Sequence, residues 1–239
     1  MNLLELVAAR NIDARTAALL WMAMEGHRSL IIAGAPQRAG KTTTLEAVLE
    51  ALPAGLRRVD LAGLAEAYDF VPRVKPADTV LVAGEISDHL PEYLWGASGR
   101  RAFTLLQDGF SLVATMHADS VAEVIEILTQ DLGAERSEVG LVDLVAIIHV
   151  SARRGGTVVR RVVALSRLVP DRDGIREVPL VTHETAADRH VHHEDAQASL
   201  VDAGELARRT AYLVALAMSG ATDARAAFTR HLALGGSTA

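Results

Sequence analysis

The sequence predicts an α/β protein with a mostly parallel sheet flanked by helices, followed by antiparallel strands and C-terminal helices. Three observations carry this. Short apolar runs at 29–33, 79–83 and 144–150 have the composition of strands buried on both faces. They alternate with stretches of helical spacing, the order expected of a parallel sheet. After about Ser151 the pattern becomes Val-rich and alternating, at 157–169 and 174–181, as in an antiparallel ribbon.

The elements follow in order. A short helix is expected over 2–9, with Asn2 as its cap and Glu5 three residues on. Asp13 caps a second helix that runs to Glu25, where Leu19, Leu20, Ala23 and Met24 share a face and Gly26 stops it. The strand at 29–33 leads into a loop at 34–40 and a helix at 41–52, closed by Pro53. A weaker strand lies at 57–61, a strong one at 79–83 and a short one at 112–115. Ser120 caps a helix over 121–130, with Glu123 at its third position. The strand at 144–150 follows, then the ribbon. Residues 183–198 are polar and without period, which reads as a linker or loop. Two closing helices are expected at 202–219 and 222–234. The domain reading is therefore 1–182 as one unit with the late strands, 183–200 as a polar linker and 201–239 as a helical appendage.

Composition narrows the function classes. The chain has 239 residues, half of them apolar and 4% aromatic, so the core is built mainly from Leu, Val, Ile and Ala. A formal charge of −6 argues against a dedicated nucleic-acid binder. With no cysteine there is no disulfide and no thiolate metal site, which fits a cytoplasmic protein. No basic leader precedes an apolar run, and no window has the roughly 18 apolar residues that cross a bilayer. A membrane would be reached only through partners.

Three motifs sit at expected strand ends. The first is Ala35-Pro36-Gln37-Arg38-Ala39-Gly40-Lys41-Thr42, which fits a phosphate-binding loop with alanine at its first position. Such a loop aims successive backbone N–H groups at phosphate oxygens, and the helix after it presents its positive end to the same anion. Gly40 permits close approach, Lys41 reaches the β- and γ-phosphates, Thr42 offers a hydroxyl to Mg²⁺, and Thr43 lies near the α-phosphate. ATP and Mg²⁺ are the ligands expected. The second motif is the run 80–85, a buried strand that ends in Glu85 at the edge where open α/β sheets bind ligands. Glu85 is a candidate to polarise water or hold Mg²⁺. The third is Ala114-Thr115-Met116-His117-Ala118-Asp119, which places Thr115 and His117 near the γ-phosphate.

Together these residues resemble the secretion and type IV pilus motor ATPases of the GspE/PilT kind, in the RecA-like branch of phosphate-loop NTPases. The likeness is carried by Gly40-Lys41-Thr42-Thr43; by 78–82 with Gly84-Glu85-Ile86-Ser87-Asp88, similar to that family's Walker B stretch; by 112–118, similar to its histidine box; and by 143–168, similar to its late strands. It covers roughly residues 3–180. The resemblance implies a RecA-like domain that uses Mg-ATP. Lys41 would sit on the phosphates, Thr42 on Mg²⁺, Glu85 in the Walker B role, and Thr115 and His117 near the γ-phosphate. It also implies homo-oligomeric rings and partners in secretion or pilus machinery.

Several positions depart from the family pattern. About 25 residues precede the first core strand, where the family carries a further domain. The aspartate box should fall at 60–66, yet Asp60 and Glu66 do not form its Glu-Asp pair. Ser87 stands in place of an arginine, Phe110 in place of a histidine, and about seven extra residues separate Asp88 from Phe110. These departures leave two readings open, a slow ATPase and a nucleotide-binding assembly or regulatory module. A GTPase lacks support because no Asn-Lys-x-Asp sequence is present, and the acidic balance counts against a DNA motor. Four histidines (183, 190, 192 and 193) read as a solvated loop rather than a metal site. Arg100-Arg101 and Arg153-Arg154 read as solvated turns. Trp21 and Trp95 read as anchors in the core or against a partner.

Overall fold

A computed structural model describes residues 1–35, 38–152, 156–172, 174–221 and 223–235, without the side chains of 232–235. Arg153 and Arg154 lie outside it. Helices α1 (Leu3–Ala8) and α2 (Ala14–Glu25) come first, then β1 (Leu30–Ala33), α3 (Lys41–Leu49), β2 (Arg57–Asp60) and β3 (Thr79–Ile86). Next are α4 (Gly96–Gln107), β4 (Ser111–Met116), α5 (Val121–Glu126), α6 (Arg136–Val139) and β5 (Leu144–Ala152). The chain continues through β6 (Val158–Asp171), β7 (Gly174–Glu184), β8 (Arg189–His192), α7 (Glu194–Ala198), α8 (Ala203–Ser219) and α9 (Ala224–Gly235). Among the described residues no helix is long and apolar enough to cross a membrane.

The described strands form one sheet in the order β2-β3-β4-β1-β5-β6-β7-β8. Pairings from β2 to β5 are parallel and those from β5 to β8 antiparallel. The expected class, an α/β fold with a mostly parallel sheet flanked by helices, late antiparallel strands and C-terminal helices, is the one observed. Strand alternation sorts the core into two layers. Leu30, Ile32, Val80, Val82, Leu144 and Ala146 join α1, α2, α3 and α8 on one face. Ile31, Ala33, Leu81, Ala83, Val145 and Ile147 join α4 and α5 on the other. The caps expected at Asn2, Asp13 and Ser120 are all made.

Two readings of the sequence are corrected. Residues 183–198 are not a loop: β7 runs to Glu184, and β8 and α7 follow. Periodicity missed them because their inward groups are polar and meet polar partners. His183, with its side chain 4% exposed, meets Asp188. His190 donates to the Val162 carbonyl, and His192 meets Asp13. The other correction concerns Arg100 and Arg101, which stand on α4 rather than in a turn, with Arg100 donating to the Leu132 carbonyl. That helix opens without a side-chain cap and carries Gly96 and Gly99, both poor helix formers.

Carboxylates tie the N-terminal helices to later elements, and this makes stability depend on acid. Burial pushes the Asp13 carboxyl up, but hydrogen bonds from His192 and Thr16 outweigh it and hold the group well below the usual range. Glu205 is likewise opposed by burial, yet hydrogen bonds from Arg209 and Arg208 bring it to about 2 from 4.5. A folded-state value below the unfolded one stabilises the fold above the unfolded pKa, and that stability is lost as pH falls through the folded one. The thermal midpoint is therefore expected to fall as pH drops from about 4.5 toward about 2. Asp13→Asn should flatten that slope; an unchanged slope would remove Asp13 as a cause.

Candidate nucleotide site

The site is built where β1, β3 and β4 end side by side. After β1 the chain enters the loop at Gly34, where a Cβ would lie 2.7 Å from the Ile148 carbonyl oxygen, so this close approach of β5 requires glycine. Pro36 and Gln37 lie outside the described residues. Gly40 closes the loop with φ +96, in the left-handed region that favours glycine. Helix α3 then starts at Lys41, so its unpaired N–H groups and positive end face the loop.

Lys41 is 6% exposed. Its Nζ donates to the Gly34 carbonyl at 3.1 Å and approaches His117 Nε2 at 3.1 Å. Burial lowers its pKa, and the nearby Glu85 carboxylate opposes that shift. His117 Nδ1 lies 2.8 Å from the Ala35 carbonyl, which can only accept, so Nδ1 carries a proton. Nε2 of the neutral ring is then the acceptor for Lys41. Glu85 Oε1 lies 3.4 Å from the same Nε2. Lys41, His117 and Glu85 thus form one cluster drawn from three strand ends.

A bulge aims Glu85. Ala83 pairs with Ala114 and Ile86 with Met116, so β3 holds one more residue than β4 across this stretch. Thr115 accounts for its stability: the Thr115 hydroxyl donates to the Gly84 carbonyl that the bulge displaces. Thr115 is 0% exposed and does not line the cleft, so its hydroxyl is not positioned to touch a phosphate. This departs from the expectation for Thr115.

The cleft over the loop measures about 1330 Å³ and is lined by Ala35, Arg38, Ala39 and Gly40 through Thr43, together with Glu85 and His117. Thr42 and Thr43 are exposed on the first turn of α3. Its donors suit the expected ligands: a buried ammonium and helix N–H groups for phosphate, and the Thr42 hydroxyl and Glu85 carboxylate as hard oxygen ligands for Mg²⁺.

Sequence reasoning missed several lining residues, among them His89, Tyr93 and Arg160. His89 and Tyr93 come from the turn after β3, and Arg160 from β6. His89 is oriented by Ser87, whose Oγ lies 2.7 Å from Nδ1. No spacing rule brings these segments to the loop. Asp60 and Glu66, the positions of the altered aspartate box, are engaged elsewhere. Asp60 pairs with Arg58, and Glu66 accepts from the Ala62 and Tyr68 amides. Neither lines the cleft.

Solved structures similar to the chain include two ATPases. The VirB11 ATPase from the Brucella suis type IV secretion system, in complex with sulphate, is 17% identical, with 83% of this chain and 56% of that chain covered and a TM-score of 0.44. The Legionella pneumophila ATPase DotB is 17% identical, with 89% and 62% covered and a TM-score of 0.35. The chain spans less than two thirds of the length of either. No family model matches the chain, and no curated protein does. Likeness at this level is too low to add to the fold, which rests on the sheet order and register described above.

Proposed function

We propose that the chain binds Mg-ATP over the phosphate loop and hydrolyses it slowly, as a motor ATPase of the secretion or pilus type. The observation that carries this is the cluster of Lys41, His117 and Glu85 at the N-terminus of α3. In this reading Lys41 and the helix N–H groups hold the β- and γ-phosphates, with Ala35 through Thr43 as the cradle. Thr42 and Glu85 hold Mg²⁺, which when bound offsets phosphate charge. Glu85 Oε1 orients water and accepts its proton, while the Lys41 ammonium, held by the Gly34 carbonyl and by a His117 ring anchored on Ala35, is the cation beside the carboxylate. Thr115 is a positioning residue for the Gly84–Glu85 bulge. The same reading puts the protein in the cytoplasm as a homo-oligomer, with secretion or pilus components as partners.

One observation favours a second reading. With Asp60 and Glu66 engaged elsewhere, Glu85 is the one carboxylate lining the cleft among the described residues. The chain would then be a nucleotide-binding assembly or regulatory module that does not hydrolyse.

Phosphate release with Mg-ATP, beside binding by calorimetry, separates the two. Glu85→Gln is expected to keep ATP affinity within about threefold and to lose turnover by at least about 100-fold, the usual range for a general base. Wild type that binds ATP without releasing phosphate establishes the second reading. Wild type that does not bind ATP sinks both.

A further inference from the structure

Three consecutive residues of β6 each tie down a different element. Arg160 Nε and Nη2 donate to the Arg38 carbonyl at 3.2 and 3.1 Å. Arg161, its side chain 9% exposed, forms a two-pronged pair with Asp188 at 2.8 and 3.0 Å and also donates to the Arg160 carbonyl. The Val162 amide donates to the Asn11 carbonyl at 2.9 Å. The phosphate loop, the β7–β8 turn and the α1–α2 turn are thereby fastened to one strand.

The loop end of this arrangement carries strain. Arg38 has φ 63, a left-handed conformation that a residue with a Cβ adopts only where its surroundings compel it. The only hydrogen bonds to its carbonyl among the described residues come from Arg160. Gly40 lies against the same side chain, where a Cβ would stand 3.2 Å from Arg160 Cδ. A charged, forked donor gripping one carbonyl is a strong and directional restraint.

We infer that Arg160 is a positioning residue of the nucleotide site, holding the phosphate loop in its binding geometry by clamping the strained Arg38 peptide to β6. The effect on affinity rests on the nucleotide reading; the effect on the loop does not. Arg160 acts through the loop backbone, so relieving the strain at Arg38 by another route should make Arg160 dispensable.

Four proteins test this: wild type, Arg160→Ala, Arg38→Gly and the double variant, with Arg160→Lys beside them. ATP affinity is read by calorimetry. Hydrogen exchange over residues 38–44 is read without nucleotide, since the Thr44 amide donates to the Gly40 carbonyl at the start of α3. Arg160→Ala is expected to weaken ATP binding about tenfold and to speed exchange about tenfold, the loss of a charged hydrogen bond. In the Arg38→Gly background the same change should cost less than about twofold in both, because glycine adopts the left-handed region freely. Arg160→Lys, which still donates to the carbonyl, should retain most of the affinity.

Arg160→Ala within about twofold of wild type in both readouts overturns the inference. So does a tenfold loss of affinity that persists undiminished in the Arg38→Gly background, which would mean direct contact with nucleotide. If wild type binds no ATP while Arg160→Ala still speeds exchange and Arg38→Gly suppresses that effect, the nucleotide reading fails and the clamp stands.

Discussion

Lys41→Ala is expected to weaken Mg-ATP binding by about 100-fold, through loss of a charge-assisted hydrogen bond to phosphate worth roughly 3 kcal/mol. The local electrostatics enlarge the effect. Lys41 is buried beside Glu85, and its pKa is lowered by burial while the carboxylate opposes the shift. Removing the ammonium leaves Glu85 next to the incoming phosphates with its nearest cation gone, so a favourable term is replaced by repulsion. The fold should survive, because Lys41 sits at a helix start and one of its two partners, His117, lines the cleft. Calorimetry with circular dichroism as the folding control reads both. A folded Lys41→Ala protein that binds Mg-ATP within about threefold of wild type would falsify the phosphate-loop reading.

Trp21→Ala is expected to destabilise the fold by about 3–5 kcal/mol, the usual cost of deleting a fully buried large aromatic. Trp21 is 0% exposed on α2. Its ring lies 4.3 Å from that of Phe228 on α9, and the Arg209 guanidinium of α8 stands 4.4 Å above it. The same guanidinium pairs with Glu25 and Glu205. One side chain thus fastens both C-terminal helices to the layer beneath β1, and its loss strips the apolar cover from a buried charge cluster. Urea unfolding should show a lower midpoint, with Trp21→Phe losing much less. A loss below about 1 kcal/mol would mean that α8 and α9 contribute little to the global transition.

The ATPase reading and the clamp at Arg160 make different demands on the chain. The first needs groups at the ends of parallel strands, which motif spacing exposes. The second needs a residue 120 positions from the loop it holds, roughly the separation of Arg160 and Arg38. Such a residue carries no local signal. An Arg in an alternating Val-rich stretch looks like any outward-facing strand residue.

The same division runs through the whole molecule. The two N-terminal helices with their caps, the apolar strands, the loop closed by Gly40 and the placement of Lys41, Glu85 and His117 were legible in the sequence. They depend on local rules: side-chain oxygens that reach amides three residues on, uninterrupted apolar runs, and glycine where φ is positive. Tertiary structure alone decided the rest. It turned Thr115 from a phosphate contact into the support of a bulge, because only pairing with β3 puts the Gly84 carbonyl above its hydroxyl. It made strand and helix of 183–198, because His183, His190 and His192 meet Asp188, Val162 and Asp13, partners that periodicity cannot see. It brought Arg160 to the phosphate loop, because antiparallel pairing of β6 with β5 carries that strand back past the end of β1. Polar groups can be buried only where a partner meets them, and where that partner is far along the chain the fold, not the local sequence, determines the outcome.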